Sequence, residues 1–392
     1  MRNYHSPDFT LTIFTLLLLL FGLWVLSSAS VVESFTATGH NYYYLGRQFI
    51  FALVGVILWF IAQRIPYHRW RKWANILLYI ALGVMVLVLI PGIGYQIGGA
   101  RRWFALGPVT IQISEIVKLA IVVYLAYWFS KESRYIRNFS KIVLPFIALI
   151  ALVGLLMMLE PDLGTLGIIV LVMLSVYWVA GAAFRHIALI GGIGLAGFWF
   201  LIQIAPYRLA RLLAFLDPSR DPLGISYHIN QALLALGSGG LFGLGYGYSR
   251  QKYNYLPAAS SDSIFAIIGE ELGFIRTALL VLLYGVVIAR GIRIAQKAPD
   301  TFSRLLSCGI TAWIGFQAII NMGAITGLFP LTGIPLPLIS LGGSSLVITL
   351  VALGILLNIS KHTTYEGKED SFSRWWNRWA RSATSSPRRG AR

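Results

Sequence analysis

Runs of about 20 apolar residues, broken by short polar connections, recur along this chain. A hydrocarbon core of about 30 Å needs roughly 20 apolar residues per helical crossing, and ten stretches reach that length, near residues 10–30, 46–64, 73–91, 114–130, 141–159, 162–181, 185–205, 262–290, 303–328 and 343–359. They predict an all-α polytopic membrane protein with ten transmembrane helices filling residues 1–360 and a long loop, 206–261, between the seventh and eighth. The first stretch, with Arg2 before it and "SSAS" after it, has the outline of a signal peptide. Nine later spans favour a retained helix.

Composition agrees: 57% of the 392 residues are hydrophobic and 12% charged, which is far from a soluble domain. The net charge of +17 invites a nucleic-acid reading. Most of the excess, however, lies in the connections 63–73, 131–141 and 290–304 and in a basic tail, 361–392, so topology and anionic membrane lipid explain it and no nucleic acid is expected. Basic loops stay inside, which places both termini in the cytoplasm and the 206–261 loop outside. Tail Trp375, Trp376 and Trp379 among arginines suit an interfacial anchor. Cys308 is the one cysteine, so a disulfide framework or cysteine metal cage is excluded.

Polar groups that lipid should exclude mark the candidate chemistry, since a charge at a helix centre costs about 2.5–3.5 kcal/mol. In 92–120, Arg101 and Arg102 form a candidate anion clamp, guanidinium being a planar fork for phosphate. Glu115 and Lys118 follow at i and i+3, where a structural ion pair is the plainer account. Glu160 and Asp162 open the sixth span, either as caps or as cavity acids. The long loop carries Arg208, Arg211, Arg250 and Lys252, solvated charges or contacts for a phosphate-bearing lipid. Its glycine-rich part lacks the GK[ST] ending of a nucleotide loop. Asp262 sits at the eighth span's start with Ser260 or Ser261 as a cap. On a continuous helix Glu270 lies about 80° from Asp262 and Glu271 about 180° away, so Asp262 and Glu270 share a cavity while Glu271 packs or pairs elsewhere. Pro330, Pro335 and Pro337 prevent a regular helix in 327–342 and suggest a cavity wall.

Taken in order, "GGARRW", "SEIVKLA", "PDLGT", "DPLGISYHI", "QKYNYLP", "SSDSIFAIIGEELG" and "TGIPLPLISLGGSS" resemble the SEDS proteins of bacteria, FtsW and RodA, over residues 10–360, with details closer to FtsW. The resemblance implies a peptidoglycan glycosyltransferase that polymerises lipid II at the outer face of the cytoplasmic membrane, partnered by a class B penicillin-binding transpeptidase. It also implies that Asp262 is the catalytic carboxylate. The chain departs from the family's habits at Ser260 and Ser261, where His-Thr is common, at Ile113, where proline is common, and at Leu341, where tyrosine precedes the glycines.

The implied reaction needs a base for a sugar hydroxyl and positive charge for a departing diphosphate. Asp262 is assigned as base, with Arg101, Arg102, Arg211 and Lys252 as diphosphate contacts, a divalent cation (Mg or Mn) as a candidate aid, and Glu115, Lys118 and Glu270 shaping the cavity. A lipid II flippase and a non-catalytic scaffold are the competing readings. The first needs polar residues along a path to the inner face, and the second leaves the charged cavity without a use.

Overall fold

The computed structural model describes residues 6–97, 100–107, 109–219 and 221–363. The basic tail from residue 364, its tryptophans included, lies outside the described residues. The helices, in chain order, are α1 (Phe9–Ala29), α2 (Val31–Thr38), α3 (Tyr43–Arg64), α4 (Tyr67–Leu89), α5 (Ile113–Lys131), α6 (Leu144–Leu159), α7 (Leu163–Val179), α8 (Phe184–Ile204), α9 (Pro206–Leu216), α10 (Tyr227–Gly239), α11 (Ile264–Gln296), α12 (Thr301–Ile325) and α13 (Gly343–Ser360). Among the described residues nine helical segments are long and apolar enough to cross a membrane, α6 counted together with the π turn Phe139–Val143 that leads into it. The tenth apolar helix, α7, has 17 residues. The protein is a multi-pass membrane protein.

Two segments between the apolar stretches carry secondary structure of their own. Residues 94–112 form a three-stranded antiparallel sheet, β1 (Gly94–Ile97), β2 (Ala100–Leu106) and β3 (Val109–Gln112). A short meander pairs its own backbone groups, so it needs no apolar run to announce it. The 206–261 loop contains α9 and α10, and α10 packs against α11.

The bundle centres on α5, α12 and α13, whose spans are 72%, 72% and 78% buried, whereas α8 is 11% buried and stands at the edge. Small residues allow close helix approach without a hydrophobic drive in lipid. A Cβ at Gly354 would come within 2.6 Å of Trp59 O, and one at Gly55 within 2.6 Å of Leu350 Cδ1, so these glycines set the α3–α13 contact. The first apolar stretch is a bundle helix: α1 packs on α11, and its cap Asp8 accepts a 2.6 Å bond from Arg290. At that same end Asp300 and Ser303 close a capping box on α12, and Tyr67 Oη donates to Asp300 at 2.6 Å.

Helix α11 is broken at Gly273, where φ is 77° and ψ 175°. The lost helical bonds are replaced by the 239–245 loop: Leu244 N and Gly245 N donate to Glu270 O and Glu271 O at 3.0 Å, and Phe274 N donates to Gly240 O at 2.9 Å. The half-helix 264–272 and the loop therefore share one main-chain network.

A candidate active site at the head of the eighth span

The turn before α11 presents Asp262, and three consecutive backbone carbonyls of that turn accept bonds from its neighbours. Leu341 N donates to Ser260 O at 2.9 Å, Ser340 Oγ to Ser261 O at 2.6 Å, and Asn321 Nδ2 to Asp262 O at 2.8 Å. The proline-rich segment supplies two of those partners. Asn321 also binds Ile334 O at 2.7 Å, and Gln317, one turn earlier on α12, binds Pro335 O at 2.9 Å. Proline's missing N–H and fixed φ keep this segment from becoming helix, and its free carbonyls become the acceptors that dock it on α12.

Asp262 lines a cavity of about 120 Å³ together with Arg211, His228, Asn321, Thr332 and Gly333. A Cβ at Gly333, where φ is +70°, would lie 3.3 Å from Asp262 Oδ2, so glycine leaves the carboxylate uncovered. Arg102 reaches the same region from β2, its Nη1 3.2 Å from Asp162 Oδ2. Asp162 caps α7 through Thr165 N, and its turn packs on the Thr332 carbonyl across Gly164. Burial pushes the Asp262 carboxyl up to about 6; Arg102 and Arg211 pull it down, and Asp162 and Glu33 push it up. A carboxylate near the working pH is a better proton acceptor than an ordinary one. Two residues before Asp162, Glu160 is fully buried with both carboxyl oxygens unpaired among the described residues, and burial, with Asp162 adding, pushes it up to about 8.

The remaining sequence candidates separate. Arg101 is next to Arg102 on β2, where it pairs with Gln96 of β1 while Arg102 is the extra residue of a β-bulge, and the ion pair with Asp162 belongs to Arg102. Glu115 and Lys118 are buried in the bundle, with Nζ 2.8 Å from Glu115 Oε1 and 2.7 Å from Gln317 Oε1. They touch the site through Gln317 and Pro335. Glu270 is absent from the Asp262 cavity: it is buried and accepts from Ser249 Oγ and from the backbone N–H of Arg250 at 3.0 Å. The regular helix begins at Ile264, after a turn, so a helical wheel drawn from Asp262 misplaces Glu270. Lys252 is also elsewhere, its ammonium bound to Glu271 at 3.0 Å, Ser28 at 2.9 Å and Gly247 O at 2.6 Å. With Glu271 so paired, both glutamates fasten the 247–252 loop to α11. Neither Ser260 nor Ser261 caps the helix; its N-cap is Ser263, and Ser260 Oγ instead bonds Glu33.

His228, Asn321 and Gln317 were missed in the sequence. Gln317 and Asn321 were findable as polar residues at i and i+4 within an apolar span; a lone His in a loop carries no comparable signal. Among the described residues no group of three or more His, Cys, Asp or Glu could hold a metal ion.

A family model described as "Cell cycle protein" (FTSW_RODA_SPOVE) matches residues 9–365. Stage V sporulation protein E of Bacillus subtilis is 44% identical over 360 residues, 92% of this chain and 98% of that protein. The probable peptidoglycan glycosyltransferase FtsW of Trichlorobacter lovleyi is 42% identical over 354 residues, covering 90% and 93%. Among solved structures, a chain from a study of polymerisation and crosslinking by a peptidoglycan synthase complex superposes with a TM-score of 0.75 at 30% identity, covering 91% and 98%. The rod-shape-determining protein RodA of Thermus thermophilus superposes at 0.68 and 29%, covering 93% and 100%.

Proposed function

Because the chain belongs to the FtsW, RodA and SpoVE family of cell cycle proteins, we propose that it is a peptidoglycan glycosyltransferase that polymerises lipid II. The observation that carries this reading is Asp262, raised to about 6, in a cavity it shares with Arg211 and near Arg102. The acceptor sugar's 4-hydroxyl attacks the anomeric carbon of the donor. Asp262 takes the hydroxyl proton as the glycosidic bond forms, and the lipid diphosphate leaves with the bonding electrons. Arg102 and Arg211 supply the positive charge that the departing diphosphate requires.

A protein-held divalent cation does not fit the residues present. Among the described residues no three acids or histidines cluster, Asp162 already faces Arg102 and caps α7, and Mg²⁺ would draw its remaining ligands from substrate phosphates. No step is assigned to it. The setting proposed is the bacterial cytoplasmic membrane, with both termini inside, the cavity at the outer face and a class B penicillin-binding transpeptidase as partner. The likeness to a sporulation protein adds a third role to division and elongation.

The flippase reading needs a polar path across the bundle. Below the cavity, Lys118 is closed off by Glu115, Gln317 and the Trp313 ring, 5.0 Å from its Nζ. Purified chain with its transpeptidase partner, given lipid II, is expected to make glycan strands, and Asp262→Asn is expected to slow them by about 10²–10⁴-fold. Glycan synthesis at the normal rate by that variant would refute the assignment, and lipid II translocation in liposomes without polymer would favour the flippase.

A further inference from the structure

His228, on the second residue of α10, lies across the cavity from the start of α11, and its Nε2 is 2.7 Å from Ser263 Oγ. Ser263 Oγ is also 3.0 Å from Pro257 O. A carbonyl only accepts, so the single hydroxyl proton goes to Pro257, and the hydroxyl's lone pair must take an N–H from His228. The histidine is thereby the Nε2–H tautomer. The bonded chain His228–Ser263–Pro257 closes the turn 257–263 through contacts separate from its clasp on Asn321, Ser340 and Leu341.

We propose that His228 is a positioning residue for the polymerisation reaction: by donating to Ser263 it fixes the turn that aims Asp262 into the cavity. This rests on the reading of Asp262 as the base. The charged groups facing His228 are Arg211 from α9 and Asp262 from the turn; Glu270 and Glu271 of α11 are taken up by residues 249–252, and the nearest polar group of α12, Asn321, is neutral. Burial and the Arg211 charge hold the imidazole below its usual range, so it stays uncharged where the enzyme works. A cation in its place would compete for Asp262 and lower that group's basicity.

The test compares His228→Gln, His228→Phe, Ser263→Ala and the His228→Phe/Ser263→Ala double variant in the full chain with its partner, with lipid II as substrate. Asp262→Asn serves as the control, and thermal unfolding checks the fold. His228→Phe and Ser263→Ala are each expected to lower kcat by about tenfold, the size of a lost buried hydrogen bond. The double variant is expected to lose no more than either single one, because both remove the same bond. In both, the acid limb of the rate profile shifts below the wild-type position near pH 6, since a loosened turn lets water reach Asp262. His228→Gln, which keeps a neutral N–H donor, retains the limb and most of the rate. A His228→Phe enzyme with wild-type kcat and an unmoved acid limb overturns the inference, as do losses that simply add in the double variant. If Asp262→Asn is inactive while His228→Phe is normal, only this inference falls; an active Asp262→Asn removes the base reading and this inference together.

Discussion

At the scale of single residues, the site depends on carboxyl groups held away from water. Glu160 has no hydrogen-bond partner among the described residues and is pushed up to about 8, so the native state prefers it protonated. Its stability contribution is therefore complete below the ordinary value of 4.5 and is lost as pH rises toward about 8. Glu160→Gln is expected to raise the Tm at pH 8 by about 2 °C or more, with the gain vanishing near pH 4.5, as read by thermal unfolding at both pH values. An equal gain at both would show that charge is not the cause. Asp262 obeys the same physics with a catalytic result: polymerisation is expected to rise through about pH 6 as the base ionises. Residue types were legible in the sequence, because charges inside apolar runs stand out. Their directions were not. Arg101 and Arg102 look like one clamp, but the ion pair with Asp162 is made by Arg102, and Lys252 looks like a free cation until Glu271, Ser28 and the Gly247 carbonyl occupy all three of its donors.

At the scale of elements, the apolar runs located the helices because lipid tolerates no other backbone there. Boundaries were set by chemistry that periodicity does not carry. Helix α4 starts at Tyr67, several residues before its apolar run, through a basic stretch, 67–72, that follows Pro66 at the N-cap. The break in α11 could not be read from "GEELGF", since a glycine within a helical pattern is usually tolerated. Here it holds a positive φ, and a Cβ would come 2.2 Å from Gly243 N. Gly273→Ala is expected to destabilise the protein by about 3 kcal/mol or more, measured by thermal unfolding in detergent. Gly167→Ala, where nothing lies within 4 Å, is the control and should be neutral. Equal behaviour of the two would mean that the kink relaxes without cost. The two acids of "GEELG", Glu270 expected in the cavity and Glu271 expected to pair elsewhere, are both fasteners of the loop that folds over this break.

At the scale of the whole molecule, one buried relay joins the centre of the bundle to the site: Glu115 to Lys118, Lys118 to Gln317, Gln317 to Pro335. Lys118→Met leaves Glu115 buried without its counter-charge and is expected to cost about 3–5 kcal/mol, whereas Glu115→Leu/Lys118→Met should recover most of that loss. Unfolding of the three proteins decides it, and an additive double variant would count against the relay. The turn that carries Asp262 draws on a different resource. Positions 261 and 341 engage through peptide atoms rather than side chains: Ser261 offers its carbonyl and Leu341 its amide. Peptide atoms are common to every residue type except for proline's nitrogen, so lineages can exchange side chains at these two places, as this chain has done, while the carboxylate keeps its address.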